Sequence, residues 1–509
     1  MDIDLKALEA LSPSRLRGIR RGIEKESLRS TPGGALAATP HPAGLGSALT
    51  HPHITTDFSE SQLELITGVH TDVQTCLQEL VRIQQVTLQS MGDEMLWVSS
   101  MPCGLPHDDA IPLGQYGSSN LGRSKTLYRN GLGYRYGRRM QTISGIHYNW
   151  SLPDVTSEQY FGLIRNFRRH AFLLLYLFGA SPALCSTFVA GRAHQLQELT
   201  AGTLYLPYAT SLRMGRLGYQ SDAQASLAVS YNSLQGYAAS LQDAMTRTYP
   251  AYEAIGLRGP DGEYRQLATT LLQIENEFYG TIRPKRVIFQ GERPLHGLRE
   301  RGVEYVEVRL MDLDPFEPVG INMQTMRFLD VFLLHCLLRD SPPDTPQEIV
   351  ALAHNQHCTA ERGREPGLRL ERGGTTISLV DWGLELVDQL LPIARQLDAT
   401  YGGTDYTAAV ESARNGLHHP DTLPSAHVLR EVKEHYGGSF VAFVKEQSIR
   451  TRRAMLGTEL PESVRTHFEE LAKASAVDQR GIEAGDSMPF DIYLQEYLSP
   501  RRLSPAKPL

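Results

Sequence analysis

Arg21-Gly22-Ile23-Glu24-Lys25-Glu26-Ser27-Leu28-Arg29 is the stretch on which the reading of this chain turns. As a β-strand it sends successive side chains to opposite faces, so Glu24 and Glu26 share one face while Ile23, Lys25 and Ser27 take the other. Two carboxylates that close repel each other and are unfavourable on a strand unless positive charge sits between them. Hard divalent cations such as Mg²⁺ take oxygen ligands of this kind. Alone, E-x-E reads more simply as the solvated start of an amphipathic helix. The weight comes from three later segments of similar design.

Ile54 to Thr67, which includes Asp57, opens as a β-branched strand and closes with Glu60, Gln62 and Glu64 alternating against Leu63 and Leu65. Gln141 to Ser151 places Ile146, Tyr148 and Trp150 on one face and His147, Asn149 and Ser151 on the other. Val303 to Leu310 sets Val306, Val308 and Leu310 against Tyr305, Glu307 and Arg309. Each has a plainer reading by itself: a core or surface histidine, or a cross-strand ion pair between Glu307 and Arg309. Together they predict a sheet with helices behind it and a charged concave face that calls for cations. Mixed carboxylates, a histidine and arginines suit Mg²⁺ carrying a polyphosphate, with arginine gripping phosphate or carboxylate through two donors. No cysteine lies in these segments, which argues against zinc there. No Ser-His-Asp or Cys-His arrangement is visible, so catalysis is expected to rest on positioning and charge neutralisation.

The rest of the chain frames that sheet. Helical stripes are expected over Thr71–Met91, Ser157–Gly179, Ser226–Thr248, Met323–Leu338 and Leu379–Leu397, with a short helix in residues 1–16. Gly117-Ser-Ser-Asn-Leu-Gly122-Arg123-Ser124 approaches a phosphate-cradling loop, but Arg123 stands where lysine belongs and no long apolar strand leads in. It reads as a turn at a sheet edge. Residues 1–498 are expected to form a single catalytic domain, and the proline-rich segment from Ser499 a disordered tail.

Fifty basic against 57 acidic residues, a net charge of -7, argue against nucleic acid as a partner. Five cysteines with no CxxC spacing suit a reducing compartment. The first residues lack the order of a signal peptide, and the most apolar run, Ala171 to Ala180, is about half of what crosses a bilayer. A cytoplasmic protein is expected, with small-molecule partners, no membrane and no obligatory protein partner.

Seven stretches, in order, carry a resemblance: Arg21–Arg29, Gly46–His51 with Ile54–Thr67, Gln115–Arg129, Met140–Pro153, Tyr205–Tyr219, Leu272–Arg286 and Gly302–Arg309. Through most of residues 18 to 400 the chain resembles the large bacterial type of the glutamate–cysteine ligase family. The resemblance implies an α+β, glutamine synthetase-like fold: a curved, mainly antiparallel sheet with helices packed on its outer face. It implies that ATP phosphorylates the γ-carboxylate of glutamate and that the amine of cysteine displaces phosphate, giving γ-glutamylcysteine, the first step of glutathione synthesis. It further implies two or three Mg²⁺ ions, or Mn²⁺, on Glu24, Glu26, Asp57, Glu64, His147 and Glu307. By the same similarity Arg129 and Arg309 meet the transferred phosphate and Arg213 the glutamate carboxylate. Phe58, Tyr128, Leu132, Gln141, Asn149, Tyr219 and Tyr279 form the cysteine pocket. The alternatives are a ligase joining glutamate to another amine, and a non-catalytic nucleotide- or metal-binding relative.

Overall fold

The decisive stretch is a strand, and it lies inside the sheet. The computed structural model describes residues 5–218, 222–225, 227–289 and 291–503. Its main sheet has seven strands: β1 (Arg20–Ser30), β2 (Ile54–Thr56), β3 (Gln62–Ile66), β4 (Met95–Leu96), β5 (Ile146–Ser151), β6 (Ile282–Lys285) and β7 (Tyr305–Met311). Six of them run in the order β2-β3-β1-β5-β7-β6, every neighbouring pair antiparallel, and β4 pairs with the end of β1. The architecture is the expected α+β one, an antiparallel glutamine synthetase-like sheet backed by helices.

Alternation decides which side is covered. Ile23, Leu63, Leu65, Ile146, Tyr148, Trp150, Val306 and Val308 are all fully buried on one face. Against that face pack α1 (Val73–Gln89), α3 (Ser157–Phe178) and α4 (Met323–Leu338). A second helical layer follows, led by α5 (Leu379–Tyr401). The helices begin where side chains can take up their free amides: Asp72 accepts from Thr75 N–H, Asn322 from Thr325 N–H, and Thr156 with Gln159 forms a capping box.

Two charges sit on the covered face. Arg21 Nη2 meets Asp330 of α4 at 2.8 Å, and Asp330 also accepts from Tyr148 OH at 2.9 Å. Lys25 Nζ donates to Ser27 Oγ at 2.7 Å, and burial pulls that amine down to about 7.

Several expectations need correction. Ile54 to Thr67 is a hairpin rather than one strand: β2 and β3 pair with each other across a turn at residues 57–61. Glu60 lies in that turn, its carboxylate accepting from His41 N–H and Gln115 N–H at 2.8 Å each. The supposed sheet-edge turn is the start of an unforeseen helix, α2 (Asn120–Tyr136), capped by Ser119. Free amides at its start are met from within the chain, Gly122 N–H donating to Ser119 Oγ and Asn120 N–H to Asp486, while Ser118 N–H just before the cap donates to Glu483 Oε1 at 2.8 Å. No phosphate cradle is left there. Of the helix expected over Ser226–Thr248, Leu234–Thr246 is helical, and Ser226 lies outside the described residues.

Of the expected tail, Pro500–Leu503 is a 3-10 turn with Leu503 buried, and the residues beyond it lie outside the described ones. Cys103 and Cys185 form a disulfide with Cα atoms 5.2 Å apart, although their spacing of 82 residues gave no hint of it. Cys76 and Cys336 are buried free thiols, and Cys358 is partly buried. Among the described residues no helix is long and apolar enough to cross a membrane.

Candidate active site

Strand register turns separate alternations into one row of polar groups on the face away from the helices. Glu26 lies opposite Glu64 of β3, and Glu24 opposite His147 of β5. Asn149 lies opposite Glu307 of β7, which is itself opposite Arg283 of β6. His147 is central: its Nδ1 is 3.0 Å from Glu24 Oε2 and 3.7 Å from Glu307 Oε1, and its Nε2 is 3.5 Å from Glu26 Oε1. Arg309 donates to Glu307 Oε1 at 3.0 Å, Asn149 Nδ2 to Glu24 Oε1 at 2.9 Å, and Gly145 N–H to Glu26 Oε2 at 2.7 Å. One ligand atom each from Glu24, Glu64 and His147 fall within 4.8 Å of one another.

Charge is unevenly distributed along this row. At the β3 end, burial and then Glu24, Asp57 and Glu26 push the Glu64 carboxyl well above the ordinary range, with Arg309 only partly offsetting them. Burial, aided by Asp57, also raises Glu26 in spite of His147, Arg213 and Arg309. At the other end burial works against Glu307, but Lys285, Arg309, His147 and Arg283 hold it well below the usual carboxylate range. Glu24 lies between: burial and Glu307 raise it, while His147 and Lys285 win and leave it lowered. Glu307 Oε2 and Asn149 Oδ1 are buried without a hydrogen-bond partner. Orphaned oxygens beside under-neutralised carboxylates are the donor set a hard divalent cation takes.

Cations border the row. Arg129 of α2 donates through Nε to the Asp57 carbonyl and through Nη1 to Lys125 O at 2.9 Å, with its guanidinium 4.5 Å above the Tyr116 ring. Arg213 sits in the short turn Leu212–Met214, where Nη2 donates to Arg309 O at 2.8 Å and Nη1 is 3.8 Å from Asp312. That approach requires glycine at 145, because a Cβ there would overlap the Arg213 guanidinium.

A second group gathers beside α2. Gln141 Nε2 donates to Tyr279 OH at 2.7 Å, and the Tyr279 ring meets Tyr136 edge-on at 5.8 Å. Tyr128 and buried Leu132 lie on the same helix as Arg129, and burial followed by Glu277 holds the Tyr128 phenol well above its ordinary range. Phe58 is buried in the β2–β3 turn. Tyr219 lies outside the described residues.

Sequence reasoning passed over three cations. Lys285 Nζ is 3.5 Å from Glu307 Oε1, Arg283 is buried opposite Glu307, and Lys125 Nζ lies 5.2 Å from the Tyr116 ring. Burial and Arg129 draw Lys125 down to about 8 against the pull of Glu64. The signal for the first two was present: Ile282-Arg283-Pro284-Lys285 alternates as the other strands do. Lys125 stands four residues before Arg129, one helical turn away, but only after the helix itself is known.

Comparison with known proteins places this geometry. Residues 5–359 match the family model described as glutamate-cysteine ligase. The glutamate–cysteine ligase of Alcanivorax borkumensis is 46% identical over 512 residues, covering 96% of this chain and 97% of that protein. That of Janthinobacterium sp. is 48% identical over 496 residues, covering 94% of each. Among solved structures, a glutamate–cysteine ligase from Francisella tularensis in complex with AMP superposes with a TM-score of 0.90 at 38% identity, covering 94% of this chain and 97% of that one. A bifunctional glutathione synthetase from Pasteurella multocida follows at a TM-score of 0.73 and 25% identity, covering 92% of this chain and 58% of that one.

Proposed function

The chain belongs to the glutamate–cysteine ligase family, and from that premise we propose that its polar sheet face joins glutamate to cysteine at the expense of ATP. The reaction is ATP-dependent ligation. The γ-carboxylate of glutamate attacks the terminal phosphorus of ATP, ADP leaves, and the cysteine amine then displaces phosphate from the acyl phosphate. γ-Glutamylcysteine is the product, in the first step of glutathione synthesis. The observation that supports this reading best is the row itself: Glu24, Glu26, Glu64, His147 and Glu307 on one face, with Asp57, Arg129 and Arg309 at its border.

In this reading Glu24, Glu26, Asp57, Glu64, His147 and Glu307 hold Mg²⁺ or Mn²⁺, in two or three sites. When bound there, the metal would neutralise phosphate oxygens and shield the transferring phosphoryl group. The protein's own groups do the rest. Arg309, already polarised by Glu307, presents a planar fork to the transferred phosphate. Arg129 does the same from the α2 side, its stem fixed against Tyr116. Arg213, held by the Arg309 carbonyl, receives a glutamate carboxylate. Gln141, Tyr279, Tyr128, Leu132, Phe58, Asn149 and Tyr219 form the cysteine side, with Gln141 and Tyr279 aligning each other. Preorganised donors of this kind act where charge develops.

The three substrates are small molecules, and the reading includes action in the cytoplasm. The Cys103–Cys185 bond pulls the other way, since disulfides are rare in reducing compartments. Phosphate release measured with ATP, Mg²⁺, glutamate and a panel of amines tests the assignment. Cysteine should give the highest kcat/KM. A higher value for another amine would overturn the choice of acceptor, and no release with any amine would overturn the ligase reading.

A further inference from the structure

Away from the sheet's polar face, two histidines and a cysteine meet inside the helical layer. His170 lies on α3, and His335 and Cys336 are consecutive on α4. All three are buried, with exposures of 3%, 0% and 0%, and one ligand atom from each falls within 4.8 Å of the others. The imidazole rings are 5.6 Å apart. These are the interior faces of two apolar helices, where leucine or phenylalanine would satisfy packing without leaving polar atoms to account for.

Hydrogen bonding fixes which atoms are free. Arg339 Nη1 donates to Gln389 Oε1 at 2.7 Å, so that atom is the amide oxygen, since arginine cannot accept. The same oxygen lies 3.1 Å from His335 Nε2, which must therefore carry the proton. His335 Nδ1 is left with a bare lone pair, buried and without a partner, and His170 Nδ1 is likewise buried and unpartnered. A histidine with one nitrogen donating to an amide oxygen and the other carrying an unpartnered lone pair has the hydrogen bonding that metal-binding histidines show. His170 also lines a cavity of about 720 Å³ walled by Arg169, Arg339, Trp382, Glu385 and Gln389, which gives an ion a way in.

We propose that His170, His335 and Cys336 form a second metal site, chemically unlike the carboxylate row and suited to a borderline-soft d¹⁰ cation such as Zn²⁺. Imidazole and thiolate are the ligands Zn²⁺ prefers and Mg²⁺ does not. Binding replaces the Cys336 S–H proton with a sulfur–metal bond and releases that proton to solvent. Such an ion would pin α4 to α3, the helix that packs on β7 and β6.

The test uses the whole protein, stripped of metal with a chelator and titrated with Co²⁺ while saturating Mg²⁺ occupies hard-ligand sites. One equivalent should bind, with a near-ultraviolet thiolate-to-cobalt charge-transfer band that Zn²⁺ then bleaches. Cys336→Ser should abolish the band and weaken Zn²⁺ binding more than about 100-fold, beyond the loss from a missing supporting hydrogen bond, while ligase turnover persists. Cys358→Ser removes the other thiol near a histidine, 3.3 Å from His354 Nε2, and should leave the band intact. Absence of a band, its survival in Cys336→Ser, or its loss in Cys358→Ser would overturn the site. If Cys336→Ser does not fold, X-ray absorption on the zinc-loaded parent decides. One sulfur at about 2.3 Å with imidazole nitrogens at about 2.0–2.1 Å is the expected shell, and a shell without sulfur refutes it.

Discussion

Two sets of buried charges sit on opposite faces of the same strands and are handled in opposite ways. On the helix side, Arg21 and Asp330 neutralise each other at 2.8 Å, and Tyr148 takes a further lone pair of Asp330. On the other side Glu24, Glu26 and Glu64 crowd around one histidine, and two oxygens have no partner at all. A closed charge set holds a fold together. An open one needs something the chain does not supply. The contrast separates charge that the fold itself satisfies from charge that it leaves open.

Breaking the closed set should have the largest effect. Asp330→Ala leaves Arg21 buried and unpaired, and urea unfolding should show a loss of about 3–5 kcal/mol, with kcat of the folded fraction unchanged. Breaking the open set should do the reverse. Glu26→Gln keeps the acceptor for Gly145 N–H and removes a repelling charge, so turnover should fall about 10²–10³-fold with an equal or higher melting temperature. Near-normal turnover at saturating Mg²⁺ would end the metal assignment.

Adjacent residues on β7 sharpen the comparison. Arg309→Lys keeps charge but loses the fork, and should lower kcat by about 10-fold or more, with little change in either amino-acid KM. Val308→Ala, on the buried face, should cost about 1–3 kcal/mol of stability and leave kcat alone. If the two swap behaviours, the faces have been assigned the wrong way round.

The smallest effect belongs to Lys25, a charge on the closed side whose partner is the neutral Ser27 hydroxyl. Its amine falls from the ordinary lysine value to about 7 in the folded protein. Below that pH the folded state carries the full penalty of a buried ammonium. The penalty fades as pH rises towards the unfolded value, where both states are neutral. Lys25→Met should therefore stabilise by about 1–2 kcal/mol near neutrality and below, and the gain should vanish in melts near pH 10.5 and above.

The polar row was legible because period-2 alternation survives any tertiary arrangement: Glu24 with Glu26, His147 with Asn149, and Glu307 with Arg309 are each a local pattern. Register, which sets Glu26 against Glu64 and Glu307 against Arg283, is a property of pairs of strands. It had to be seen. α2 was hidden by Gly122, Gly131 and Gly133, poor helix formers by propensity. The structure explains two of them: a Cβ at 122 would overlap the Tyr116 carbonyl, and one at 131 the Gln273 side chain. The Cys103–Cys185 bond likewise depends on a meeting of distant segments that spacing does not encode.

The cap on α2 sets an order of events during synthesis. The helix that carries Tyr128, Arg129 and Leu132 has its first amide, that of Asn120, answered by Asp486, 366 residues later, and the amide of Ser118 just before its cap by Glu483. At about 5–20 residues per second, a ribosome needs tens of seconds to cover that distance. All the carboxylates of the polar row are made by then, while the start of the helix that carries Arg129 still lacks these two partners. The start of α2 is thus completed by residues made late, at the end of α6 (Glu462–Ala484) and in the turn behind it. A nascent chain stalled between Glu307 and Glu483 would hold every residue of the polar row with the start of α2 still uncapped by those carboxylates.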